Sequence, residues 1–146
     1  MLAGLGTEAL RGRYRALAAE LGIGERVVVL EYVGEPLLEA LYAGARCLLY
    51  LSSYEGFGLP VLEAMARGLP VVGSNLTSIP EVAGDAALLF DPADSAGWTS
   101  ALVELCRSDG LHADLAARGH AQAARFPWRE TGRATVELFE RVAAGA

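Results

Sequence analysis

The chain has 146 residues, 53% of them apolar and 21% charged, with a formal charge of −6. That length suits one domain, 1–146, able to bury about two thirds of its unfolded surface. Basic residues are scattered and no run approaches the ~18 apolar residues of a membrane span, so a general nucleic-acid binder and a spanning protein are both disfavoured.

Met1 to Gly6 (MLAGLG) reads as the end of a strand and its turn, and starts so abruptly that truncation on the N-terminal side is expected. Met1 to Ala3 lead into no basic region or long apolar core, so no signal peptide is read and a cytoplasmic chain is expected. Gly4, Gly6 and Ala9 match the spacing of a dinucleotide fingerprint, with Glu31 as its downstream acid. The strand that should precede it is nearly absent, and Glu31 is farther away than the usual ~20 residues, so the match is weighed as a chance pattern. Thr7 to Leu21 has helical spacing, with Thr7 as N-cap and Leu10, Tyr14, Leu17, Ala18 and Leu21 on one face. Val27 to Tyr32 is rich in valine and predicts a strand, Glu35 to Ala45 a short helix, and Cys47 to Leu51 a buried strand.

The stretch from Tyr50 to Pro80 reads as strand, glycine-broken loop, helix, tight turn, strand and loop. Ser52 to Gly58 is a loop freed by Gly56 and Gly58, Pro60 suits the first turn of a helix starting near Leu59, and Gly68 with Pro70 stops it. Val71 and Val72 start the next strand. Seven residues separate Glu55 from Glu63. Glu55 sits in the loop at the carboxyl end of a strand, where open α/β sheets bind ligands, and Glu63 lies about one turn into the helix. Helical side chains lean back toward the N-terminus, so both carboxylates can face one crevice with free amides between them. Carboxylates accept from hydroxyls, and a helix N-terminus favours phosphate. A ligand with hydroxyls at two places and a phosphate between them is a sugar nucleotide. Taken singly, Glu63 reads as a first-turn acid and Glu55 as a loop acid; the combination shifts the balance.

Gly73 to Pro80 caps the same edge, where Ser74, Asn75, Thr77 and Ser78 could reach donor hydroxyls or phosphate, although such residues also form turns. Glu81 opens a short helical turn, Ala86 to Phe90 is the last strand, and helices follow over Ser95–Ser108, Gly110–Ala124 and Trp128–Ala144. Arg118, His120 and Arg125 read as a solvated face, and Cys47 and Cys106 as buried free thiols rather than a metal or disulfide pair. Strands alternating with helices predict an α/β fold, a Rossmann-like parallel sheet with helices on both faces.

The run Glu55 to Val72 (EGFGLPVLEAMARGLPVV) resembles the signature of the retaining family 4 glycosyltransferases. Tyr32-Val33-Gly34, Leu41 to Ala45, Ser78 to Asp85, Asp91-Pro92 and Phe126 to Trp128 resemble family positions in the same order. The resemblance implies the C-terminal, nucleotide-sugar-binding half of a GT-B fold, acting on a donor such as GDP-mannose or UDP-glucose, with retention and without metal or other cofactor. Glu55 would be the catalytic-site acid that binds and orients the sugar. The amides of Gly56, Phe57, Gly58 and Leu59 would lie along sugar and diphosphate, Glu63 would hold the ribose, and the backbone at Tyr32 and Val33 would meet the base. Similar proteins carry a basic diphosphate-binding pair and an acceptor-binding N-terminal domain before the part matched here. Weak binding and little or no transfer are therefore expected of this chain alone, and a position peripheral to the membrane is expected for the full-length enzyme. The face Thr135, Leu138, Phe139 and Val142 is expected to serve as an interface, with a partner domain or in a homodimer. Two other readings stay open: an NAD(P)-binding oxidoreductase module using Gly4, and a non-catalytic interaction domain.

Overall fold

The structure, a computed structural model, describes residues 1–4 and 6–145. It divides into two compact parts, residues 1–41 and 42–146.

In the first part, helix α1 (Glu8–Glu20) begins as the sequence predicts, the Thr7 hydroxyl accepting from the Leu10 amide at 3.2 Å. The expected strand over Val27 to Tyr32 is reduced to a parallel bridge between Leu2 and Val29. Leu2 exchanges 2.8 Å backbone hydrogen bonds with Val28 and Leu30, and Gly4, at φ 80°, then turns the chain. A ladder needs a paired strand as well as an apolar run, whatever the run's intrinsic preference. The face expected inward on α1 is also mostly open: Ala18 is buried, whereas Tyr14, Leu17 and Leu21 are exposed. Helix α2 (Glu35–Gly44) carries the chain into the second part.

There, β1 (Leu48–Tyr50), β2 (Val71–Ser74) and β3 (Ala87–Phe90) form a parallel sheet in the order β1-β2-β3, with Leu48 beside Val71 and Val71 beside Ala87. All four residues of β2 are buried, as befits a central parallel strand. Helices α3 (Leu59–Ala66) and α4 (Ile79–Ala83) connect successive strands and pack on the sheet. Helix α5 (Ser95–Arg107) packs on β2 and β3, where Trp98, Ala101 and Leu105 close over Val72 with Leu88 and Phe90. Its Asp94 cap accepts from the Gly97 amide at 2.9 Å, and the Trp98 indole donates to the Asp91 carbonyl at 2.9 Å.

Helix α6 (Asp109–Ala123) packs on α3, α4 and α5. The expected solvated face of α6 is in fact partly structural. Arg118 donates to the Asp85 carbonyl at 2.6 Å, and buried Gln122 donates to the Val82 carbonyl at 2.9 Å while accepting from Arg125. The Gln122 bond satisfies a carbonyl in the last turn of α4, which a helix that short cannot satisfy internally, and the Arg118 bond one just beyond it. Helix α7 (Trp128–Ala143) buries none of its residues, and Val136, Leu138, Phe139 and Val142 stand exposed. Cys47 is half-buried, its thiol pushed up by burial, while Cys106 is exposed rather than buried as expected.

Candidate active site

Because the strands are parallel, Tyr50 and Ser74 end at the same edge, and the loops leaving them are laced together. The Ser74 hydroxyl donates to the Ser52 carbonyl at 2.6 Å. The Glu55 amide donates to the Thr77 hydroxyl at 3.1 Å, and the Ser78 hydroxyl donates to the Glu55 carbonyl at 3.1 Å. Thr77 adopts the left-handed conformation at φ 52°, alone among described residues other than glycine. A β-branched residue there is strained, and such strain persists only where neighbours hold it.

The lacing fixes the backbone of Glu55; a tyrosine fixes its carboxylate. The Tyr50 hydroxyl donates to Glu55 Oε1 at 2.5 Å, in the short range of charge-assisted bonds. This bond first, and the neighbouring Ser52 hydroxyl second, lower the Glu55 pKa. Burial first, and Glu55 second, push the Tyr50 phenol up, so it remains a donor. Glu63 has a corresponding partner in buried Tyr42, whose hydroxyl donates to Glu63 Oε2 at 3.2 Å. The Arg67 guanidinium lies 5.0 Å from the centre of the Tyr42 ring and donates to the Glu63 carbonyl at 2.7 Å.

Between the two acids the chain turns into α3 through Gly58, at φ 101° and ψ 43°. No side chain caps this helix. Among the described residues, the amides of Gly56, Phe57, Gly58 and Leu59 have no backbone acceptor. Pro60 follows, contributing no amide of its own. Unpartnered donors and the positive end of the helix thus lie between two carboxylates, and that end favours an anion. Phe57 and Leu59 are exposed, and with Phe126, Arg125 and Trp128 they line a cleft of about 170 Å³.

The other expected site residues are placed less uniformly. Ser74 is fully buried and its hydroxyl is occupied internally; Asn75 is exposed, with its amide donating to the Phe90 carbonyl at 2.9 Å. In the first part of the chain, Tyr32 is 90% exposed and Val33 is half-buried. Glu31 faces Arg11 at 3.2 Å, and Gly4 donates to its carbonyl at 3.4 Å. Gly6 precedes α1 and Ala9 lies within it, so the alternative fingerprint follows a single bridge rather than a strand. Tyr42, Tyr50, Thr77 and Ser78 bind the two acids, and sequence reasoning gave the tyrosines no part there. Their signal was a hydroxyl in an otherwise apolar helix face and strand end. No group of three or more His, Cys, Asp and Glu that could hold a metal ion occurs among the described residues.

Comparison with known proteins bears on this arrangement. A family model described as glycosyl transferases group 1 matches residues 2–122. The chain is 45% identical over 111 residues to an O-antigen chain mannosyltransferase B of Escherichia coli, covering 76% of this chain and 29% of that protein. It is 36% identical over 137 residues to an MMP alpha-(1->4)-mannosyltransferase of Mycolicibacterium hassiacum, covering 91% and 33% respectively. It therefore spans about a third of the length of these curated relatives. Among solved structures it superposes on a sucrose-phosphate synthase from Thermosynechococcus elongatus with a TM-score of 0.89 and 25% identity, over 99% of this chain and 38% of that one.

Proposed function

The chain belongs to the group 1 glycosyltransferases, and from that premise we propose that it is the donor-binding part of a retaining, family 4 enzyme. It would form the C-terminal half of a GT-B fold, the whole of 1–146 working as one domain on a nucleoside diphosphate sugar. The observation that carries this reading is that the unpartnered amides of Gly56 to Leu59 lie between Glu55 and Glu63.

In this reading the amides of Gly56 to Leu59 and the start of α3 receive the diphosphate, which needs donors and positive potential. Glu63, with one oxygen on Tyr42, accepts from ribose hydroxyls through the other. Glu55 does the same for the transferred sugar, and its lowered pKa keeps it ionised and accepting. Exposed Tyr32, with Val33, takes the base, and exposed Asn75 reaches the ligand's edge, while Ser74 acts from within by holding Ser52. The chemistry assigned to these residues is orientation and charge stabilisation, without a metal or other cofactor. A mannose donor, GDP-mannose before UDP-glucose, is favoured because two relatives are named mannosyltransferases.

The acceptor and the cations that stabilise the leaving diphosphate are assigned to a further, N-terminal domain of the kind that occupies the rest of a GT-B enzyme. Alone, this chain is proposed to bind donor weakly and to transfer little. The exposed apolar residues of α7 suit docking of that domain or of a second copy, and no helix among the described residues is long and apolar enough to cross a membrane. For the full-length enzyme the reading assigns a cytoplasmic position, peripheral to the membrane.

An amide-shift titration with GDP, UDP, GDP-mannose, UDP-glucose and NAD tests the reading. Shifts at Gly56 to Glu63 with one sugar nucleotide, weakened about tenfold or more in Glu63→Ala, are expected from losing a charged hydrogen bond. Shifts confined to Gly4 to Ala9 with NAD alone would overturn it in favour of the dinucleotide alternative. Binding insensitive to both Glu55→Ala and Glu63→Ala would also count against it.

A further inference from the structure

We propose that Tyr50 and Tyr42 are positioning residues that hold the two carboxylates as one preorganised pair, Tyr50 setting the sugar end through Glu55 and Tyr42 the ribose end through Glu63. The inference rests on the donor-binding reading above and assigns residues that act through the acids rather than on the ligand.

A glutamate side chain has several rotatable bonds, and holding it in one rotamer has an entropic cost. An acid left to solvent meets that cost when ligand arrives; one already held by a rigid partner does not. Tyr50 is the last residue of β1, placed by the ladder opposite Gly73, so its hydroxyl is delivered by the sheet. Its 2.5 Å bond takes Oε1 of Glu55, and the carboxylate keeps further acceptor capacity. Tyr42 is buried on α2, the Arg67 guanidinium lies over its ring, and its hydroxyl takes Oε2 of Glu63 and leaves Oε1. Each acid thus gives one oxygen to a phenol and keeps acceptor capacity for ligand.

Tyr50→Phe and Tyr42→Phe each remove one oxygen and keep the ring, so they separate positioning from packing. In the ligand-free chain, carboxyl resonances of Glu55 followed against pH are expected to titrate at higher pH in Tyr50→Phe. A midpoint that does not move would overturn the assignment whether or not any ligand binds. In calorimetry with GDP-mannose and UDP-glucose beside bare GDP and UDP, Tyr50→Phe is expected to weaken the sugar nucleotide about threefold to tenfold and leave the bare nucleotide unchanged. Tyr42→Phe should weaken both alike. In a Glu55→Ala background, Tyr50→Phe should add nothing. Equal losses for sugar nucleotide and bare nucleotide in Tyr50→Phe would mark a merely structural role and overturn the proposal. If the unsubstituted chain binds none of these ligands, the donor reading fails while the Glu55 titration still decides whether Tyr50 positions it.

Discussion

The ring of Phe57 meets that of Phe126 edge-on, their centroids 5.9 Å apart and their planes at 86°. Phe57 stands in the middle of the run of unpartnered amides, and Phe126 lies just before Pro127 and α7. The loop is therefore held at one end by the lacing of Glu55 and in its middle by an aromatic contact.

Phe126→Ala should release that contact. Phe126 is half-buried, so the loss is expected to be about 1–3 kcal/mol, below a full core truncation. Hydrogen exchange at Gly56 to Leu59 should rise more than in α5, with severalfold weaker sugar-nucleotide binding. Uniformly faster exchange across both regions would show that the ring supports the fold and not the loop.

Gly58 gives a second prediction. Its φ of 101° disfavours any side chain, and a Cβ would lie 2.7 Å from Cδ1 of buried Ile79. Gly58→Ala should cost about 1–2 kcal/mol for the backbone, with the clash in addition. Ile79→Val removes the clashing atom at its own cost of about 0.5–1.5 kcal/mol. The double variant should therefore be more stable than the sum of the singles by about 1 kcal/mol, read from denaturant midpoints. Strict additivity would mean that Gly58 is required for its dihedral alone.

Which features could be read from sequence follows from how local their causes are. The loop, helix and stop from Glu55 to Gly68 were legible because each is set by neighbours: a positive-φ glycine at 58, Pro60 in the first turn, and Gly68 at φ 67° ending α3 with the Leu69 amide bonding to the Ala64 carbonyl. The cap Thr7 was legible for the same reason. The strand expected over Val27 to Tyr32 was not, since a ladder depends on a partner elsewhere in the chain. Tyr50 read as one more residue of a buried strand; its bond to Glu55 spans five residues, which matches neither helical nor strand periodicity and depends on how the loop folds back. Arg118 and Gln122 likewise act on carbonyls 33 and 40 residues away.

Thr77 combines strain with a useful hydroxyl. Thr77→Gly relieves the left-handed conformation, worth about 1–2 kcal/mol, but loses the acceptor of the Glu55 amide and loosens the unfolded chain. These effects oppose, so stability should change by less than about 1 kcal/mol. Exchange of the Glu55 amide should rise even so. A stable variant with that amide still protected would show that the hydroxyl does not hold the loop.

Tyr50 makes stability depend on alkaline pH in a definite direction. Its folded pKa lies above the ordinary value of 10.0, through burial first and Glu55 second. The unfolded chain then releases this proton near pH 10 while the folded chain keeps it. The contribution is thus fully present below that pH and is lost as pH rises, by at most about 1.4 kcal/mol per pH unit. Urea unfolding between pH 8 and 11 should show a decline that is shallower in Tyr50→Phe. Glu55 has the opposite sign: its folded pKa is depressed, so its contribution is present above the ordinary carboxylate range and is lost as pH falls through the lowered value. Tyr50→Phe should weaken that acid limb as well, because the two shifts share one hydrogen bond. A variant that flattened one limb and left the other intact would show that burial alone sets the Tyr50 shift.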